Sequence, residues 1–263
     1  MKLPMYQIDA FTDRIFAGNP AAVCPLERWL PDAVLQAIAA ENNLAETAFF
    51  VKEEPDYRLR WFTPVAEVDL CGHATLASAA VIFLQLGFAG SSIRFQTRSG
   101  VLTVERRGSG YAMDFPAAAP SACELSPALV EGLGAVPLAA LNAFDHIAVY
   151  ATEQEVRALE PNFARLADLG LRGVVATAPG VEADFVSRFF APKLGVNEDP
   201  VTGSAHCELA PYWGRRLGKS SMRADQLSPR GGTLLCELKG ERVILSGRAA
   251  HYMTAEIYIP DAD

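Results

Sequence analysis

Two stretches of this chain repeat one design: a strand, a short acidic loop, a glycine and an apolar helix. That repeat limits the available folds more than any other feature. The first copy runs from Arg60-Trp61-Phe62-Thr63-Pro64 to Asp69-Leu70-Cys71-Gly72-His73-Ala74-Thr75. The second runs from Arg188-Phe189-Phe190-Ala191-Pro192 to Glu198-Asp199-Pro200-Val201-Thr202-Gly203-Ser204. The strand arginines lie 128 residues apart and the glycines 131. Self-similarity at a long, nearly fixed offset indicates duplication of a structural unit. A glycine at a helix start lets a ligand approach the backbone. The free amides of the first turn, with the helix dipole behind them, suit an anion such as a carboxylate.

The chain has 263 residues, half of them hydrophobic, enough for two domains of about 120 to 130 residues. The boundaries expected are 1–116 and 117–263, with a last strand, 253–260, crossing back to the first domain. The Ala- and Pro-rich stretch from Pro116 to Pro127 is the expected linker. Helices are predicted over Pro31 to Asn42, His73 to Leu86, Pro127 to Leu133 and Ser204 to Leu217, the rest being mainly strands joined by short turns. Turns of that length cannot hold crossover helices, which disfavours a parallel doubly wound sheet. A helix without a polar face needs cover on all sides. The fold class predicted is therefore α+β: two similar domains, each a highly curved, mostly antiparallel sheet wrapped around a central apolar helix.

A formal net charge of −8 leaves no basic patch for a nucleic acid or an anionic membrane surface. The longest apolar run, Ala74 to Ala89, falls short of the roughly 20 residues of a membrane span. The N-terminus lacks the apolar region of a signal peptide. Five cysteines at irregular spacing make no disulfide framework. A cytoplasmic location is the expectation.

Among polar residues Glu46 stands out, between the polar Asn42-Asn43 and the apolar Ala48-Phe49-Phe50. At the edge of a dry pocket its carboxyl would have a raised pKa and could serve as both acid and base. His73 follows Gly72 at a helix start, where the dipole should favour the neutral imidazole. Asp199 and Ser204 sit at the second start, where turn and cap roles compete with a functional one. Cys71 is matched by Thr202, so a two-thiol mechanism is disfavoured. A zinc site from Cys71, His73, His206 and Cys207 has unusual ligand spacing, and no metal is expected. No phosphate loop, dinucleotide fingerprint or nucleophile elbow is present, and no organic cofactor is implied.

The order and spacing of several segments resemble the PhzF-like (phenazine biosynthesis-like) isomerase family over nearly the whole chain. The carriers are Asp9-Ala10-Phe11-Thr12, Phe16-Ala17-Gly18-Asn19-Pro20, Asn43-Leu44-Ala45-Glu46-Thr47 and the two repeated stretches. Ser228-Pro229-Arg230-Gly231-Gly232 is similar to the branch containing the animal phenazine biosynthesis-like domain proteins. The resemblance implies the diaminopimelate-epimerase-like fold, a homodimer, and a site in the cleft between the domains that uses neither metal nor cofactor. It implies catalytic roles for Glu46, His73, Asp199 and Ser204. Asn19, Cys71, Gly72, Thr202 and Gly203 are expected to line the substrate site. The reading is a cofactor-independent isomerase of a small carboxylate. A racemase or epimerase involving Cys71 and a non-enzymatic binding protein stay open beside it.

Overall fold

The computed structural model describes residues 1–259; residue 260, the expected end of the last strand, lies outside them. The chain runs β1 (Lys2–Ala10), β2 (Asn19–Leu26), α1 (Asp32–Asn42), β3 (Glu46–Glu53), β4 (Asp56–Phe62), β5 (Glu67–Val68) and α2 (Gly72–Ala80), then β6 (Ser92–Thr97), β7 (Gly100–Arg107) and β8 (Gly110–Pro116). It continues with β9 (Ser121–Cys123), α3 (Pro127–Leu133), β10 (Ala139–Asn142), β11 (His146–Val149), α4 (Glu153–Arg157), α5 (Phe163–Ala167), β12 (Val174–Pro179), β13 (Phe185–Ala191) and β14 (Val196–Asp199). Last come α6 (Gly203–Leu217), β15 (Ser221–Gln226), β16 (Gly232–Lys239), β17 (Arg242–Gly247) and β18 (Ala249–Tyr258).

Two compact units result: Met1–Asp114 with the chain from Ser246 onward, and Phe115–Leu245. In the first unit, β1–β2, β2–β3, β3–β4, β4–β6 and β6–β7 pair antiparallel, parallel, antiparallel, parallel and antiparallel. In the second, β10–β11, β11–β12, β12–β13, β13–β15 and β15–β16 follow the same sequence of senses. The long helix enters each unit at the same step, between a short fifth strand and its successor. The duplication read from the two glycine turns therefore extends to the strand order. The strand flanking β1 is β18, and the strand flanking β10 is β9. The stretch expected to be only a linker thus contributes β9.

Each acidic loop is tethered in the same way. The Arg60 guanidinium donates to both Glu67 oxygens at 2.7 and 2.8 Å, and Arg188 donates to both Glu198 oxygens at 2.7 and 2.9 Å. The two guanidinium groups lie 5.1 Å from the Phe62 ring and 4.9 Å from the Phe190 ring. A bidentate, partly buried pair holds direction as well as charge, so the loop is aimed at the helix start that follows.

Helix α2 is buried along every residue from His73 to Ala80 and packs on β1, β2, β3, β7 and β18. Its buried hydroxyls bond backward into the helix: Thr75 Oγ1 donates to Cys71 O at 2.6 Å, and Ser78 Oγ to Ala74 O at 2.7 Å. Such bonds satisfy polar groups that an apolar sheet could not. The helix does not run unbroken to Leu86. It widens into a π-turn over Val81–Gln85, which buries Val81, Ile82 and Phe83 in succession and stacks Phe83 on Tyr111 at 5.6 Å. In α6 the burial covers Ala205 to Ala210, Trp213 and Gly214, while its last turn is exposed. A Cβ on Gly214 would stand 2.4 Å from Leu238 Cδ1, so only glycine allows that approach to β16. Separate apolar clusters lie under α1 in the first unit and under α3, α4 and α5 in the second. Among the described residues no helix is long and apolar enough to cross a membrane.

Candidate active site

In the first unit the chemistry gathers where β3 begins beside α2. Glu46 opens β3 and pairs in register with Ala21, and Asn19 opens β2 two residues earlier. Alternation along a strand puts Asn19 on the same face as Ala21 and therefore as Glu46. Cys71 is the residue before the first turn of α2, Gly72 begins that helix and His73 follows. The His73 ring bridges two partners. Its Nδ1 lies 3.5 Å from Cys71 Sγ and its Nε2 lies 3.2 Å from Glu46 Oε2. Glu46 and His73 are separated by 26 residues of sequence, yet the strand start and the helix start deliver them to one point.

Burial alone would lower the His73 pKa. The charges of Cys71 and Glu46 and their contacts with the ring overcome this and hold it well above the ordinary value. Near neutrality the thiol is itself uncharged, because burial, and then the Glu46 charge, raise its pKa. The Glu46 carboxylate is therefore what favours the imidazolium. The helix dipole, which by itself favours the neutral imidazole, is opposed by this full charge in contact with the ring. The Glu46 side chain keeps 19% of its surface exposed against 7% for His73. A ligand can therefore reach the carboxyl group but not the far side of the ring.

In the second unit Thr202 precedes α6, with Gly203 and Ser204 in its first turn. Thr202 Oγ1 donates to Asp199 Oδ2, its amide donates to Gln226 Oε1 at 2.8 Å, and Gln226 Nε2 donates to Asp199 O at 2.7 Å. Asp199 and Gln226 thus fix the entry into the helix. A Cβ on Gly203 would meet only Leu245 Cδ1, at 3.7 Å, so space lies open over that turn. Ser204 is not the cap residue. Its Oγ accepts from Arg172 Nη2 at 3.0 Å, and Arg172 also grips the fully buried Asp145 through Nε at 3.0 Å and Nη2 at 2.5 Å. One Ser204 lone pair is thereby occupied, which leaves the hydroxyl hydrogen to be donated elsewhere.

Glu208, one turn deeper in α6, is fully buried against Asp145, whose amide donates to Glu208 Oε2 at 3.4 Å. Burial first, then the Asp145 charge, push the Glu208 pKa up to about 9. The unfolded chain gives up this proton near the ordinary value of 4.5. Its contribution to stability is therefore fully present below about pH 4.5 and is lost as pH rises toward about 9. Glu208→Gln removes that slope. Its Tm relative to the native chain should climb steadily between pH 5 and pH 9, and parallel profiles would show that Glu208 is ionised in the fold. His206 is neutral by contrast. Burial lowers its pKa to about 4, and its Nδ1 lies 2.8 Å from Thr202 O. His206 and Cys207 are buried inside α6, and among the described residues neither joins a cluster of three metal-ligating side chains.

The second unit does not copy the first unit's chemistry. By strand register the counterpart of Glu46 is Gly173, since Thr47 faces Phe62 as Val174 faces Phe190. A Cβ there would meet Phe189 Cζ at 2.7 Å and Phe190 O at 3.0 Å, so no carboxylate fits. Arg172, one residue earlier, takes the polar role in the second unit. Arg172, Asp145, Glu208 and Gln226 were not identified from the sequence.

Comparison with known proteins follows this geometry. A family model described as phenazine biosynthesis-like protein, PhzC-PhzF, matches residues 8–255. An uncharacterized isomerase of Pseudomonas aeruginosa is 54% identical, over 98% of this chain and 100% of the relative. A phenazine biosynthesis-like domain-containing protein of Homo sapiens is 39% identical, over 95% of this chain and 97% of the relative. Among solved structures, a PhzF-family phenazine biosynthesis protein of Enterococcus faecalis superposes with a TM-score of 0.97 at 48% identity, covering 98% of this chain and 100% of that one.

Proposed function

The chain belongs to the phenazine biosynthesis-like (PhzC-PhzF) protein family, and from that premise we propose that it is an isomerase moving a proton on a small carboxylate. The observation that carries the reading is the contact of Glu46 Oε2 with His73 Nε2 at 3.2 Å beside the first turn of α2. Glu46 removes a proton from an activated carbon and returns it at another position, which leaves the composition of the substrate unchanged. His73 orients the Glu46 carboxyl and balances its charge while the proton is in transit. Placed groups of this kind contribute about 10²–10⁴-fold each to the rate. The amides of Gly72 and His73 suit the substrate carboxylate, and those of Gly203 and Ser204, with the Ser204 hydroxyl, form a second donor set of the same kind. No step calls for a metal or an organic cofactor.

A panel of cyclic and acyclic carboxylates incubated with the enzyme in deuterated water tests the reading. Incorporation of deuterium at carbon in at least one of them is the expected result, seen by NMR as loss of a C–H signal. No exchange in any member above the uncatalysed rate would speak for a binding protein instead.

One observation favours a second reading. Cys71 Sγ stands 3.5 Å from His73 Nδ1, close enough to serve as a second proton-handling group in a racemase or epimerase. Cys71→Ala separates the two, since exchange persists in the isomerase and vanishes in the racemase.

A further inference from the structure

The Glu46, Cys71 and His73 cluster has a second chemical capacity, independent of what the protein turns over. One sulfur, one imidazole nitrogen and one carboxylate oxygen lie within 4.8 Å of one another. Ligand atoms around a tetrahedral zinc, bonded at about 2.0–2.3 Å, stand roughly 3.3–3.8 Å apart. Two separations already fall at that spacing, 3.2 Å from His73 Nε2 to Glu46 and 3.5 Å from His73 Nδ1 to Cys71. They run to opposite ring nitrogens, so an ion on either nitrogen stands at that spacing with one partner and draws the other in from within 4.8 Å. Glu46 Oε2 and His73 Nε2 are moreover buried with no properly angled hydrogen bond, although they face each other. Two buried polar atoms left in that condition are a cost that a shared ligand would remove.

We propose that Glu46, Cys71 and His73 bind a soft divalent cation such as Zn²⁺, with a fourth position left open toward solvent. The ligand chemistry selects the class of ion. A thiolate favours zinc and its softer neighbours over magnesium or calcium, which prefer all-oxygen sites. The ion takes one ring nitrogen. Small rotations of the Cys71 and Glu46 side chains bring sulfur and oxygen to bonding distance. Ligation requires a thiolate and a ring nitrogen free of its proton, so the protons on those atoms leave as the ion binds. Binding therefore releases protons, and affinity increases with pH. An ion so placed holds both the carboxyl group and the imidazole, so occupancy and proton transfer at this site exclude each other. The site is inhibitory, and it rests on the geometry of the cluster rather than on the isomerase reading.

Cobalt(II) is the probe, because its thiolate complexes absorb in the near ultraviolet. Titrated into the full-length chain after treatment with a chelator, it should give a thiolate-to-metal band that saturates at one ion per chain. Zn²⁺ should bleach the band, and binding should release protons into a weakly buffered solution. Cys71→Ala should abolish the band. His73→Gln and Glu46→Gln should each weaken binding by about a hundredfold or more, since even outer groups of a metal site cost 10–100-fold. Thermal melts confirm that each variant is folded, and Cys71→Ser serves as the second thiol variant should Cys71→Ala unfold. A band that survives in folded Cys71→Ala, or no saturable band in the native chain, overturns the proposal. Neither result touches deuterium exchange on carboxylates, so the two readings fail separately.

Discussion

Glu46→Gln lowers turnover by about a hundredfold or more and leaves the fold in place. The size follows from removing the group proposed to take the substrate proton, for which positioned acid–base catalysis accounts for about 10²–10⁴ in rate. The preserved fold follows from position. Glu46 is the first residue of β3, its side chain is part-exposed, and its ladder partner Ala21 is bonded through backbone alone. Glutamine keeps the volume and keeps a polar atom toward His73, so no cavity opens. Substrate binding should persist, since the helix-start amides are untouched, and the loss should appear in kcat more than in KM. The variant also removes the carboxylate that favours the His73 imidazolium, so the ring should become neutral at a lower pH than in the native chain. NMR of the ring protons across a pH titration measures that shift. Unchanged turnover would remove Glu46 from the reaction, whatever the ring does.

The two glycine turns were legible because both helix starts carry strong local signals, whereas the place of Glu46 beside the first of them was implied by the family resemblance. A strand ends, acidic residues follow, and glycine opens an apolar run, so the pattern needs no long-range information. The duplication was legible for the same reason. Arg172 carried no such signal. It is a single arginine in a turn, and its partners Asp145 and Ser204 lie 27 and 32 residues away in sequence. Gln226 takes the last inward position of β15, where the alternating pattern gives no sign that a buried amide will meet a partner, 24 residues from the Thr202 amide it accepts from. The second unit's polar network is built from contacts of this length, which composition and spacing cannot reach. The argument for the charge state of His73 was incomplete for a related reason. The dipole argument used the helix the residue sits on and not the strand that folds against it.

Arg172→Met should strongly destabilise the second unit, by about 3–5 kcal/mol, because it strips a fully buried aspartate of its cation. Asp145 has no exposed surface, and among the described residues Arg172 grips it through two nitrogens. Glu208 beside it is an acid rather than a counter-charge, and burial keeps the neighbouring His146 below its ordinary pKa. Removing the guanidinium leaves a buried carboxylate beside a buried carboxyl group, and breaking such a pair is far worse than never having had it. The double variant Asp145→Asn/Arg172→Met decides between this cause and simple loss of packing on Phe189, over which the guanidinium lies at 5.6 Å. If the uncompensated charge is the cause, the double variant recovers most of the Tm lost by the single one. If packing is the cause, it recovers nothing. Recovery of the fold should not restore function in full, because Ser204 loses the Arg172 donor that leaves its hydroxyl hydrogen free for a ligand. A double variant with native Tm and a raised KM for the exchanging carboxylate would show that the arginine orients the serine as well as neutralising the aspartate.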